Sequence, residues 1–199
     1  MSRLLILYGT RDGHTAKVAC FLAGELRSYG AIVDVLDART SNPPPGDYAG
    51  VMVAASVHSG GYQRAVVRWA RTHAEALRGK PSAFLSVCLA VLQKDLKVQR
   101  ELGGIINRFE ARTGWKPTRV KIVAGALPYT RYGWLKRAVM HRVMKKTGGS
   151  TDVSRDHEYT DWADLLEFAG TFYALCGGRP APVESACNAC SCSCAEIAD

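Results

Sequence analysis

The sequence predicts an α/β fold: a five-stranded parallel sheet of order 2-1-3-4-5 with helices on both faces. Short apolar runs alternate with longer amphipathic stretches, which is the rhythm of βαβ units. The runs are continuously apolar rather than alternating, as in strands covered on both faces. The first run ends directly in a turn rich in glycine and hydroxyls, at the sheet edge where such folds take their ligands.

Leu4 to Tyr8 is the first strand, and Gly9 to Thr15 the turn that follows. Ala16 to Tyr29 then sets Val18, Ala19, Leu22, Ala23 and Leu26 on one helical face, with Gly30 as its stop. Ile32 to Leu36 is a second strand. Asp37 to Asp47, containing Pro43, Pro44 and Pro45, reads as a loop. Gly50 to Ala55 is a third strand leading into a second flexible loop, Ser56 to Tyr62. Gln63 to Leu77 is a helix with Val66, Trp69, Ala70 and Leu77 inward. Ala83 to Val87 is the fourth strand, Val98 to Arg112 a helix and Val120 to Ala126 the fifth strand. The last helix is expected to be capped by Thr160, with Asp161 in its first turn, and to stop at Gly177-Gly178. The domain would span residues 1–178, with an insertion at 127–159 and a cysteine-rich, disordered tail at 179–199.

Hydrophobic content of 47% and charged content of 22% are those of a soluble globular chain. Lys and Arg exceed Asp and Glu by 26 to 18, a net charge of +8 that favours anionic partners. The run Leu4 to Tyr8 is too short for a signal peptide core, and no stretch reaches membrane-spanning length. Cysteine usage suggests a reducing, cytoplasmic setting rather than a disulfide scaffold.

The turn Thr10-Arg11-Asp12-Gly13-His14-Thr15 offers hydroxyls, a guanidinium and exposed amides ahead of a helix, which suits a phosphate monoester. Ordinary helix capping is the alternative for this loop taken alone. The spacing is neither the dinucleotide fingerprint nor a Walker loop. It resembles the T-x-x-x-x-T phosphate loop of flavodoxins, which hold flavin mononucleotide (FMN). Further segments narrow the match: Ala55 to Tyr62, Pro81 to Val87, Ala124 to Tyr132, Gly148 to Asp152, and Tyr159-Thr160-Asp161-Trp162. Over residues 1–176 the chain resembles the flavodoxin-type, quinone-dependent protoporphyrinogen oxidases (protoporphyrinogen IX dehydrogenases) of bacterial haem synthesis.

That resemblance implies FMN as cofactor, protoporphyrinogen IX as substrate and a membrane quinone as acceptor. It assigns the flavin phosphate to Thr10, Arg11, Asp12, Gly13, His14 and Thr15. Ser56, Val57, His58, Gly60, Gly61 and Tyr62 would pass beside the flavin ring, the glycines permitting close backbone approach. Tyr62 would either stack on the ring or pack at a helix start. Ser86, Val87, Cys88 and Leu89 would approach the other side, Cys88 as a buried thiol rather than a redox group. No catalytic side chain stands out, because flavin carries the redox chemistry itself. His58 is either a proton acceptor or a surface histidine. The histidines show no metal-ligand spacing, and no metal site is assigned.

The insertion departs most from a minimal flavodoxin. Arg131, Lys136, Arg137, Arg142, Lys145 and Lys146 are interleaved with Trp134, Leu135, Ala138, Val139 and Val143, without an acid between Arg131 and Lys146. This reads as a basic amphipathic helix over 131–146, docking on an anionic membrane surface or else packing on its own domain. No nucleic-acid-reading motif accompanies the charge. The expected location is cytoplasmic, peripherally attached to the inner face of the cell membrane. Cys187, Cys190, Cys192 and Cys194 fall in the tail, where a metal-free reading is preferred to a zinc strip. The rivals are an electron-transfer flavodoxin and a flavodoxin-like NAD(P)H:quinone reductase.

Overall fold

The computed structural model describes residues 2–92, 95–127 and 157–179. Five parallel strands form the sheet in the order β2-β1-β3-β4-β5: β1 (Arg3–Gly9), β2 (Ile32–Asp37), β3 (Gly50–Ser56), β4 (Ser82–Cys88) and β5 (Arg119–Ala124). Register is fixed by the pleat. Leu4, Ile6 and Tyr8 face one layer while Leu5 and Leu7 face the other, so a one-residue slip would turn every side chain over.

The first layer is α1 (His14–Ser28) and α5 (Trp162–Leu175), which bury Val18, Leu22, Leu26, Leu165, Ala169 and Phe172. The second is α2 (Arg64–Thr72), the short α3 (Ala74–Leu77) and α4 (Leu96–Thr113). Here Val66, Trp69, Leu77 and Phe109 pack with Phe84 and Trp115. The Phe84 and Phe109 rings stack at 4.4 Å.

Several boundaries differ from expectation, each for a local reason. The helix expected over Gln63–Leu77 starts one residue later and breaks at His73. His73 lies beside Thr72, and both are weak helix formers. Its ring leans on Trp69 at 5.0 Å, and its Nε2 lies 3.2 Å from Asn42 Oδ1, holding the chain out of helical geometry. The 37–47 loop contains a single 3₁₀ turn, Pro45–Asp47. The helix expected from Val98 starts at Leu96, because Asp95 caps it by accepting from the Lys97 amide at 2.8 Å.

The fifth strand stops at Ala124 rather than Ala126. Gly125 turns away, donating its amide to the Cys88 carbonyl at 3.2 Å. The next residues form β6 (Ala126–Leu127), which pairs antiparallel with β7 (His157–Glu158). The cap of α5 is Asp161, not Thr160: its carboxylate accepts from the Asp164 amide at 3.0 Å. The Thr160 hydroxyl is turned elsewhere, donating to the Ala124 carbonyl at 2.7 Å and lying 2.7 Å from His14 Nε2. The basic segment 131–146 and the tail cysteines Cys187, Cys190, Cys192 and Cys194 lie outside the described residues.

Candidate functional site

The carboxyl ends of β1, β3 and β4 open into one cavity of about 350 Å³, within the usual range for small-molecule sites. Its first wall is the turn after β1. Gly9 ends that strand where a Cβ would meet Val66 at 2.5 Å, so the turn needs glycine to sit over α2. Gly13 precedes α1 with φ of 88°, a left-handed conformation that glycine adopts without strain. The Gly13 amide donates to Thr10 Oγ1 at 3.0 Å. This leaves the Thr10 proton to point elsewhere. The first turn of α1 has neither a side-chain cap nor an acid, so its amides are left for an anion. Thr10, Asp12, His14 and Thr15 line the cavity; Arg11 and Gly13 do not.

His14, the first residue of α1, bonds Thr160 Oγ1 through Nε2 at 2.7 Å. The Thr160 proton is already given to the Ala124 carbonyl, so His14 must supply the proton in its own bond, which assigns the Nε2–H tautomer. Burial holds the His14 pKa below its ordinary value; the Lys17 charge acts the same way, while Glu158 and Ala124 oppose it. One turn on, Lys17 pairs with Glu158 at 2.6 Å, and the Trp162 indole donates to the same carboxylate at 2.8 Å. The first turn of α1 is thereby tied to β7 and to the entry of α5.

The second wall is the loop after β3. Ser56, Val57, His58 and Ser59 line the cavity. His58 and Gly61 exchange backbone hydrogen bonds at 2.8 and 3.0 Å around Ser59 and Gly60, whose φ angles are 49° and 72°. Two positive φ values at the centre mark a type I′ turn. Gly60 supplies the backbone handedness of this turn, and a Cβ at Gly60 or Gly61 would meet no protein atom within 4 Å. Neither glycine lines the cavity. Gln63 donates to Ser56 Oγ at 2.6 Å, which leaves the serine proton free to point elsewhere.

Tyr62 also lies outside the cavity lining. Its ring packs edge-on against Phe84 and Phe109 at 4.9 and 5.2 Å, and its hydroxyl donates to Ser86 Oγ at 2.8 Å. Burial pushes the phenol up to about 12, with the Ser86 bond opposing. Of its two expected roles, packing at the helix start is the one the structure displays. Ser86 is correspondingly a buried residue of β4 that faces Tyr62. Val87, Cys88 and Leu89 do reach the cavity. Burial raises the Cys88 thiol above its ordinary value, partly offset by bonds from Val91 and Ala90, so the group is a neutral thiol.

Sequence reasoning missed the third wall. Val98, Leu102 and Ile105 of α4, together with Glu101, close the cavity, joined by Ala90, Gly125 and Ala126. The signal was present in part, since positions 98, 102 and 105 share a helical stripe. Gly125 and Ala126 carried none, because they reach the site only through the bend after β5.

A flavodoxin-domain family model matches residues 5–154. The chain is 38% identical over 168 residues to the protoporphyrinogen IX dehydrogenase (quinone) of Escherichia coli K12, covering 84% of this chain and 92% of that one. The protein of that name from Leishmania major is 35% identical over 175 residues, 87% of this chain and 75% of that one. Oxidised flavodoxin 1 from Bacillus cereus superposes with a TM-score of 0.53 at 16% identity, over 87% of this chain and 98% of that one, a likeness of fold. The anion-ready turn, the apolar walls and a flavodoxin sheet order fit one phosphate joined to a flat ring, which is FMN. By identity along most of its length, this chain belongs to the protoporphyrinogen IX dehydrogenase (quinone) family of flavodoxin-like, FMN-dependent oxidoreductases.

Proposed function

We propose that the chain oxidises protoporphyrinogen IX to protoporphyrin IX and passes the electrons to a membrane quinone. The observation that supports this best is the convergence of the loops after β1, β3 and β4 on one cavity, in a chain with close relatives of that name. FMN, when bound, supplies the acceptor of the substrate's electrons. The protein's part is to hold it, shape the space beside it and exclude water.

In this reading Thr10, Thr15 and the first-turn amides of α1 hold the phosphate, with Arg11, Asp12, Gly13 and His14 forming the rest of the turn. Val57 and Leu89 bracket the ring, and Cys88 contributes a neutral apolar surface. The stripe Val98, Leu102 and Ile105 suits the face of an apolar macrocycle. His58 stands at the rim, where a proton released by the substrate can be taken up. The basic segment 131–146 supplies the contact with an anionic membrane in which quinone is dissolved.

The test is an anaerobic assay of the FMN-loaded protein with protoporphyrinogen, with and without quinone. Porphyrin fluorescence should rise faster than in an enzyme-free control, and only when quinone is present. A rise no faster than the control overturns the reading.

A further inference from the structure

A second concavity, of about 280 Å³, lies where the turn after β2 faces α2. It shares no lining residue with the flavin cavity. Arg39, Thr40 and Ser41 line it from the turn, and Arg68 and Thr72 from the helix, beside the buried Trp69. The turn is well ordered by Asp37. Its carbonyl accepts from the Thr40 and Ser41 amides at 3.2 and 2.9 Å, and its carboxylate accepts from the Arg39 amide at 2.8 Å. The same carboxylate takes the Arg39 guanidinium through Nε and Nη2 at 3.1 and 2.8 Å, so that cation is held in one orientation.

Arg68 is the opposite case. It has no hydrogen-bond or ion-pair partner among the described residues, and it is exposed. Arg64 lies one turn before it and Arg71 one turn after, with no acid from Gly61 to Ala74. Like charges at those spacings repel and weaken a helix. Thr40 Oγ1 already donates to the Asp37 carbonyl at 3.4 Å, so an oriented guanidinium, an unpaired one and the hydroxyls of Ser41 and Thr72 share this concavity from two elements, and the helix carries a positive excess that a bound anion would relieve. Carboxylates are satisfied by a single fork, whereas a tetrahedral phosphate has acceptors enough for two guanidiniums and the hydroxyls between them.

We propose that this concavity binds the phosphate group of a small soluble metabolite, separately from the FMN phosphate. Its test is calorimetric titration of the fully FMN-loaded protein with inorganic phosphate, with succinate and phosphatidylglycerol vesicles as parallel arms. Phosphate should bind saturably and more tightly than succinate, with the flavin retained. Arg68→Gln should weaken it by about tenfold or more, because a charge-assisted bond is lost. Arg68 is exposed and unpaired, so this variant keeps the fold; Thr72→Val should give a smaller loss in the same direction.

Four results would overturn the proposal: no saturable binding, binding unchanged in Arg68→Gln, succinate binding as tightly as phosphate, or Arg68-dependent vesicle attachment without phosphate binding. Release of flavin in step with phosphate uptake would also count against it, since phosphate would then be acting at the turn after β1. A protein that cannot be loaded with FMN at all would instead undercut the flavin site, an outcome read before the titration begins.

Discussion

Ser59 shows how much a single residue's backbone can decide. Among the described residues it is the only non-glycine with positive φ, and it lines the cavity at the tip of the turn after β3. Left-handed conformation costs an ordinary residue roughly 1–2 kcal/mol, and it is held here by the paired His58–Gly61 hydrogen bonds. The sequence showed Gly60-Gly61 as a flexible spot, but not which one was required. That depends on the turn type, which the residue letters do not encode. The turn after β1 was more legible as a place where residues meet the cavity, since Thr10, Asp12, His14 and Thr15 all line it. Removing both, as Thr10→Ala with Thr15→Ala, should raise the FMN dissociation constant on the order of a hundredfold, two charge-assisted bonds being lost. Flavin absorbance titration of the apoprotein checks this, and an unchanged constant would remove these threonines from the phosphate site.

At the scale of elements, the strands and helices were readable because each is an apolar run or stripe long enough to show its period. The β6–β7 pair was not, since two residues have no period, and the break at His73 depends on Asn42, thirty-one positions away. The cap exchange at α5 has the same origin: Thr160 and Asp161 are both good caps, and the Thr160 hydroxyl is held by distant partners, Ala124 and His14. The bond between His14 and Thr160 carries a pH consequence. Because burial lowers the His14 pKa in the folded state, the unfolded chain binds the proton more tightly. This contribution is complete above the unfolded value of 6.5 and is lost as pH falls below it. The urea midpoint should therefore decline from about pH 7 to about pH 5, and His14→Gln should flatten that part of the profile. Thr160→Val should lower stability by about 1–3 kcal/mol, since it strands the Ala124 carbonyl and the His14 donor. A pH profile identical in wild type and His14→Gln would refute the assignment of the slope to this residue.

Over the whole molecule, charge and topology point in different directions. The sheet order is the one that the alternation of strands and helices predicted, and the cavity opens at the carboxyl ends of β1, β3 and β4. The net charge of +8 says only that anionic partners are favoured. If residues 131–146 are the membrane contact, the protein should sediment with anionic vesicles and come off as salt rises. Each basic residue contributes on the order of 1 kcal/mol, screened over a Debye length of about 8 Å. Reversing Arg137, Arg142, Lys145 and Lys146 to Glu should abolish sedimentation and slow quinone-coupled turnover while FMN stays bound. Vesicle binding that survives the reversal would mean that another surface, such as α2, makes the contact. The described residues contain no helix long and apolar enough to cross a membrane.

The two-residue ladder of β6 and β7 has a consequence for how such a protein can be rebuilt by evolution. Leu127 and His157 are cross-strand partners, so the described segments on either side of residues 128–156 meet at one place. Loop closure grows only slowly in cost with length, so a join closed by such a ladder can change in length at little entropic cost. The ladder is a socket. It fixes where the two ends of the join between residues 127 and 157 are anchored, so a change in the length of that join would leave the anchor points of β5 and α5 unchanged.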